Sequence, residues 1–305
     1  MSQTPPKLRK PPVRRALGIE PPPIHILDIG AMSEGADRYA GLLEQELASV
    51  VGFEPNAQEL AKLKAQRLPR KRYLPYCLGR GGPATFHVTR YAGCASLYEP
   101  DPAIIDLFMS IGTTQPDDNY RVVKTIPVET TRLDDLPDLP CDYVKIDIQG
   151  AELDVLHGGM RTLADAVVLE LEAEFVPMYK GQPLFGDLQT FLRGHGFLLH
   201  KLIDVGGRTF RPMQYGENPY EPLSQLLFAD AIFVRDFTNL APWTDDQLLK
   251  AAAILYEVYC SHDLVHRLLA EYDHRRGTTA AKTLTETLSK LPRIPTMFLN
   301  PKLHA

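Results

Sequence analysis

"VKIDIQGAELDVLHGG", residues 144–159, runs from a strand-like stretch straight into an amphipathic helix, with Lys145, Asp147 and Gln149 at alternate positions. Alternation in a strand sends those three side chains to one face. A buried charge is costly unless it is paired, so a strand that lines one face with charge is either ion-paired there or at work there. "AVVLELEAEF" (166–175) repeats the pattern with Glu170, Glu172 and Glu174. Sequential strands often lie side by side. Lys145 is then expected to be neutralised by Glu170 or Glu172, leaving Asp147 and Glu172 at the carboxyl ends of two neighbouring strands. Glu152 falls in the first turn of the following helix, where it also complements the helix's positive end, and Glu174 reads as solvated at the strand tip.

Outward from this unit, strand-like and helical stretches alternate. "IHILDIGA" (24–31) precedes a helical reading over 36–49, then come strand "VVGFEPN" and helix "AQELAKLKAQR". "RYLPYCLG" and "PATFHVTR" (83–90) read as strands joined by the "GRGG" turn, followed by an irregular region with a short helix near "PAIIDLF". After residue 175 the order is helix "LFGDLQTFLRGHG", strand "FLLHKLID" and strand "DAIFVRD", the last two expected to pair antiparallel because no helix separates them. Strand then helix, repeated, is the sequence form of a mostly parallel sheet with helices on both faces. Residues 1–23, dense in Pro, Lys and Arg, read as a mobile arm with little to bury. Residues 24–236 form the sheet domain and residues 237–305 a helical extension. In that extension Thr244 and Gln247 have capping-box spacing and Ser261 is placed to cap the next helix. These helices are a candidate surface for homo-oligomer formation.

In an open parallel sheet, ligands bind beyond the carboxyl ends of the strands where the strand order reverses. The first strand ends in "LDIGAMSEG", placing Asp28, Gly30 and Ala31 at the turn, and the second ends in Glu54, suited to a ribose diol. The pyrophosphate fingerprint G-x-G-x-x-G is broken by Met32, and Glu34 stands near where a phosphate would lie and would repel it. A ligand with a ribose, a sulfonium and an amino group but no phosphate fits better, which points to S-adenosylmethionine, with Asp28 suited to the amino group. Leu78 and Gly79, after the third strand, complete the expected cofactor-binding set.

The chain has 305 residues, 44% of them hydrophobic, and a net charge of -5, so it can bury a large core and offers no electrostatic case for nucleic acid. Its cysteines, Cys77, Cys94, Cys141 and Cys260, are scattered and form no C-x-x-C pair, as in a reducing compartment. No apolar run reaches transmembrane length and no signal peptide is apparent, so the expected location is cytoplasmic.

At these residues the sequence resembles the FkbM family of methyltransferases. The resemblance is carried by "KIDIQGAELDVLHGG", by "TTRLDDL" (130–136) before it, and by "ELEAEFVPMYKGQPLFGDLQTFLRGHGFLLHKL" after it, and it spans Ile24 to Asp236. "GCASLYEP" (93–100) resembles a further family segment and brings Ser96 near the pocket, with Gln149 and Tyr179 on the same acceptor-binding side. The turn "DIGAMSEG" departs from the commoner family form in having Met32 for Asn and one residue inserted before Gly35. The resemblance implies a Rossmann-like class I fold, a seven-stranded sheet with its last strand antiparallel. It also implies S-adenosylmethionine-dependent O-methylation of a sugar, glycan or polyketide-like acceptor.

Transfer to an alcohol needs a group to take the hydroxyl proton. Asp147 and Glu172 are the candidates, with Glu152 in support and His157, His195 and His200 weaker. A divalent cation held by two carboxylates is possible, but no ligand spacing predicts one. Two alternatives remain open at this point: a non-catalytic S-adenosylmethionine-binding or scaffold protein, and an NAD-dependent oxidoreductase on the same sheet topology.

Overall fold

The structure is a computed structural model and describes residues 10–32, 37–137, 139–214 and 216–292. Its strands are β1 (Ile24–Ile29), β2 (Ala48–Phe53), β3 (Lys71–Leu74), β4 (Gly82–Thr89), β5 (Val122–Thr130), β6 (Tyr143–Ile146), β7 (Val168–Glu174), β8 (Phe197–Gly207) and β9 (Leu226–Arg235). Its helices are α1 (Val13–Leu17), α2 (Ala40–Glu44), α3 (Ala57–Ala65), α4 (Pro102–Ile105), α5 (Glu152–Gly159), α6 (Phe185–Gly194), α7 (Asp245–Glu257), α8 (His262–Arg276) and α9 (Ala280–Leu288). The described residues divide into two compact units. Residues 26–32 and 50–236 form one; residues 10–25, 37–49 and 237–292 form the other.

Seven strands make one sheet in the order β3-β2-β1-β6-β7-β9-β8. The β2/β3, β1/β6 and β6/β7 pairs are parallel, while β9 runs antiparallel to both β7 and β8, as expected from the missing helix between them. Strand order reverses between β1 and β6, which puts the switch point at the strand that carries Lys145. One side of β6 and β7 is apolar: Val144, Ile146, Leu169 and Leu171 join Val155 and Leu156 of α5 and Leu188 and Leu192 of α6 in one buried cluster. That burial locks the register, because a one-residue slip would send Lys145, Glu170 and Glu172 into it.

The "GRGG" reading needs correction. β3 and β4 do not pair with each other; β4 forms a separate antiparallel ribbon with β5, part of which falls in the region expected to be irregular. Pro127, which cannot donate to a ladder, is tolerated in this two-stranded edge.

In the helical unit, α7 begins with the expected capping box: Gln247 N donates to Thr244 Oγ1 at 3.1 Å and Thr244 N to Gln247 Oε1 at 2.9 Å. Ser261 precedes α8 without capping it through its side chain. The helix read over 36–49 is shorter, ending at Glu44 because Glu46 turns left-handed at φ 57° and the β-branched Val50 and Val51 continue a strand. The mobile-arm reading fails over residues 10–23. Val13, Ala16 and Leu17 of α1 are fully buried, α1 packs on α7 and α9, and the Tyr256 hydroxyl donates to the Pro11 carbonyl at 2.9 Å. Residues 1–9 of that segment lie outside the described residues.

Candidate active site

The carboxyl ends of β1, β2 and β6 converge around Gly30. Gly30 N and Ala31 N both donate to the Phe53 carbonyl at 3.2 Å, and Asp147 N donates to the Ile29 carbonyl at 3.0 Å. Gly30 has φ 89°, and a Cβ there would stand 2.0 Å from the Asp147 carbonyl oxygen, so only glycine lets the two strand tips approach this closely. Ala31 packs with Leu60, Leu63 and Tyr73. Asp28 is 4% exposed and stands in register with Lys145.

Glu54 continues from β2, its backbone N–H donating to the Leu74 carbonyl at 3.1 Å and its carboxylate accepting from Asn56 N at 2.6 Å. Burial pushes its carboxyl up to about 7. Its charge reaches Cys77, whose thiol is raised first by burial and then by Glu54 to about 11. The next two residues are Leu78, whose side chain is buried in the core, and Gly79, held by its N–H to the Thr131 carbonyl at 3.0 Å. Glu34 and Gly35 lie outside the described residues, so the reading of Glu34 as a barrier to phosphate stays an expectation.

On the charged strand face Lys145 Nζ lies 3.3 Å from Asp147 Oδ2 on its own strand, a partner beyond those expected. The parallel register brings it beside Asp28 and Glu170. Burial works to lower the ammonium's pKa, but the charges of Asp147, Asp28 and Glu170 outweigh it and hold the group above its ordinary value. Glu170 also accepts a hydrogen bond from the Tyr143 hydroxyl at 2.7 Å. Glu172 is thus left without a cation among the described residues.

Gln149 joins the rest. Its Nε2 donates to Asp147 Oδ1 at 3.3 Å and to Glu172 Oε2, and its Oε1 accepts from the Tyr179 hydroxyl at 3.1 Å. Its backbone is left-handed at φ 61°, followed by Gly150 at φ 99°, an arrangement a non-glycine residue holds only when its surroundings fix it. Ser96 Oγ donates to the Gln149 carbonyl at 2.6 Å, and Glu152 Oε1 accepts from Ile148 N at 3.0 Å and Gly150 N at 3.2 Å, closing the turn. Ser96 and Tyr179, expected at the acceptor, are fully buried and act on Gln149. Glu152, expected in support of the chemistry, is 1% exposed and clamps the turn.

Gln149, Glu172 and Glu174 line a hollow of about 180 Å³ together with Cys94, Tyr120 and Arg208. Glu174 is 2% exposed rather than solvated. Burial raises its carboxyl to about 7, and burial followed by repulsion from Asp147 and Glu174 lifts that of Glu172 well above the ordinary carboxylate range. The hollow shares Tyr91, Ile111, Asn119 and Arg208 with an outer cleft of about 590 Å³. Sequence reasoning missed Arg208 and Tyr120, which no pattern marks; Glu174 was within reach, since alternation already put it on the face of Glu172. The histidines lie elsewhere: His157 is exposed on α5 with its ring 4.5 Å from that of Phe191, and His195 Nδ1 is 2.8 Å from the Phe191 carbonyl. Among the described residues no group of three or more His, Cys, Asp or Glu side chains is placed to hold a metal ion.

Residues 28–199 match the methyltransferase FkbM domain. The chain belongs to the FkbM methyltransferase family. It is 30% identical over 179 residues to the 2-O-methyltransferase NoeI of Sinorhizobium fredii, a match that covers 54% of this chain and 69% of NoeI. Among solved structures, a putative methyltransferase from Thermoplasma acidophilum is similar at 10% identity over 72% of this chain and 71% of that one, with a TM-score of 0.35. Precorrin-6y C5,15-methyltransferase from Geobacter metallireducens is similar at 16% identity over 76% of this chain and 92% of that one, with a TM-score of 0.32. As an FkbM methyltransferase the chain is an enzyme of S-adenosylmethionine-dependent methylation, and the oxidoreductase and scaffold alternatives fall away. The residues at the switch point fit that cofactor: a half-buried carboxylate at Glu54 that accepts from a backbone N–H, acidic Asp28, and a Gly30 turn that leaves no side chain over the strand ends. No described helix is long and apolar enough to cross a membrane.

Proposed function

We propose that this FkbM methyltransferase methylates a hydroxyl oxygen of a sugar, glycan or polyketide-like acceptor, with Glu172 as the general base. The observation that carries the proposal is the Gln149 amide, which ties Asp147 and Glu172 together at the wall of a hollow and leaves Glu172 without a cation. Bound S-adenosylmethionine supplies an electrophilic methyl group on a sulfonium. Glu54 is assigned to the ribose diol and Asp28 to the amino end. The backbone at Gly30 and Ala31 follows the ligand's edge, and Leu78 and Gly79 border the adenine side.

Glu172 would take the proton of the reacting hydroxyl, leaving its oxygen to accept the methyl group that bound S-adenosylmethionine would supply. A carboxylate raised by burial is a stronger base than one in water, which suits it to a weakly acidic alcohol. Asp147 keeps the Lys145 ammonium beside the cofactor end, and Gln149 holds Glu172 in one orientation. Positioning of acceptor against methyl contributes on the order of 7 to 11 kcal/mol in well-oriented reactions. In support, the NoeI relative is named as an O-methyltransferase.

The test is transfer of isotope-labelled methyl from S-adenosylmethionine to a panel of oligosaccharides and hydroxylated natural products, with the product bond identified by mass spectrometry. An alkali-stable methyl ether is expected. Methyl esters, N-methyl products, or tight cofactor binding with no transfer across the panel would sink the proposal.

A further inference from the structure

We infer that the outer cleft is an oxyanion subsite and that the acceptor is an anionic glycoside, its carboxylate or phosphate held by Arg208 and Arg90 while its reacting hydroxyl enters the inner hollow. This deepens the hydroxyl-methylation reading and rests on it. The chain as a whole is acidic, at net charge -5, yet three arginines, Arg90, Arg208 and Arg211, line this one cleft. None of the three has a carboxylate within ion-pair distance among the described residues. Of the two acids in the cleft wall, Asp118 is committed to the backbone N–H groups of Thr114 and Gln115 at 2.9 and 2.7 Å. Three arginines against Asp117 and Asp118 leave an excess of positive charge in this concave site, which raises the local potential and favours an anion.

Arg208 is the centre of the site. It lines both the inner hollow and the outer cleft, so it marks where a ligand passes from one to the other. Its Nη1 donates to the Gly207 carbonyl at 2.6 Å and its guanidinium lies 5.5 Å from the Tyr220 ring centroid, which fixes the plane. Its Nε is sealed from water and has no acceptor among the described residues. A guanidinium holds its N–H bonds in a planar fork that matches a carboxylate or phosphate. The remaining N–H groups of Arg208, a residue that lines both cavities, are the donors left for an oxyanion. Arg211 donates to the Phe108 and Ile111 carbonyls at 2.7 and 2.6 Å, so it contributes charge rather than a contact. Arg90 is exposed at the rim, beside Tyr91.

Size and surface agree with a sugar. The inner hollow, at about 180 Å³, is smaller than ordinary ligand pockets, whereas the outer cleft, at about 590 Å³, is within their range, so the acceptor spans both. Tyr91 and Tyr220, 60% and 57% exposed, offer flat faces to a ring in the outer part.

The experiment is a calorimetric titration of the full chain, loaded with S-adenosylhomocysteine, against two matched pairs: maltose with maltose 1-phosphate, and cellobiose with cellobiouronic acid. In at least one pair the anionic member should bind about ten- to a hundredfold more tightly than the neutral one, as a charged hydrogen-bonded contact provides. The preference should weaken at high salt and be lost in Arg208→Gln and reduced in Arg90→Gln, with S-adenosylhomocysteine affinity and melting temperature unchanged. A preference confined to one pair supports the inference and distinguishes tetrahedral from planar oxyanions. Equal binding within both pairs, no binding of any of the four, or a preference that survives both substitutions overturns it. The outcome is separable from the hydroxyl-methylation reading: anion preference without O-methyl transfer defeats that reading and leaves the subsite. O-methyl transfer to neutral acceptors without anion preference does the reverse.

Discussion

The helical unit and the acidic hollow of the sheet unit treat charge in opposite ways. In the helical unit charged groups meet partners: Lys10 lies 3.5 Å from Glu257, and Arg275 reaches Glu271 at 2.8 Å and Asp245 at 3.5 Å while donating to the Trp243 and Leu240 carbonyls. In the sheet unit Glu172 and Glu174 share one hollow, and Glu152 lies close enough to raise Glu172 further, with no Lys or Arg in ion-pair contact with any of the three among the described residues. Paired charge ties elements together; unpaired, buried charge is retained where a proton has to move near neutral pH. The difference separates residues that hold the fold from those proposed for the chemistry.

The sharpest way to break this contrast is Glu172→Gln. Loss of a general base lowers turnover by about 10²- to 10⁴-fold, while cofactor affinity is unchanged and the melting temperature is equal or higher, because a poorly solvated carboxylate has gone. Near-normal turnover would return Glu172 to a structural role. Next in size is Gly30→Ala, whose new methyl would meet the Asp147 carbonyl in a left-handed backbone. A loss of about 2 to 4 kcal/mol in denaturant titration is expected, together with weakened S-adenosylmethionine binding.

In the helical unit, Arg275→Ala strands the Trp243 and Leu240 carbonyls and removes the Glu271 ion pair, Asp245 retaining Arg276, and is expected to lower stability by about 1 to 3 kcal/mol, with kcat for whichever acceptor is found unaffected. The smallest effect sharpens the contrast through pH. Glu174 keeps its proton up to about pH 7 in the fold, against 4.5 for an ordinary glutamate. The native state therefore binds more protons through that window, and the group's stabilising contribution is full below about 4.5 and lost as pH rises to about 7. Glu174→Gln should flatten that slope in thermal melts. It should also move the acidic limb of the rate profile to lower pH, because one of the negative charges that raise Glu172 is gone.

Much of the sheet was legible because its strands carry their own periodicity. β6 and β7 announced themselves by alternation, and the antiparallel pairing of β8 with β9 followed from the missing helix between them. What local pattern cannot convey is the partner. Lys145 was expected to be neutralised from β7, and the strand pattern gave no sign that it also meets Asp147, two residues along its own chain. The β4–β5 ribbon was half missed because β5 is largely exposed, with Val123, Lys124 and Thr125 open in a row, and contains Pro127, which reads as a breaker. The N-terminal segment looked too polar to order, and its arginines hid a short apolar stripe of Val13, Ala16 and Leu17. Arg208 carries no local signature; its significance comes from a cleft assembled by segments distant in sequence.

That cleft's outer wall hangs from the connection between β8 and β9, two strands at one margin of the sheet. A hairpin tip can lengthen, shorten or change its side chains without disturbing any parallel ladder. The proposed reaction machinery on β6 and β7 and the proposed acceptor subsite beyond β8 are therefore mechanically separable, and exchanging residues 208–225 is the route by which methylation would be retargeted while the transfer chemistry stays as it is.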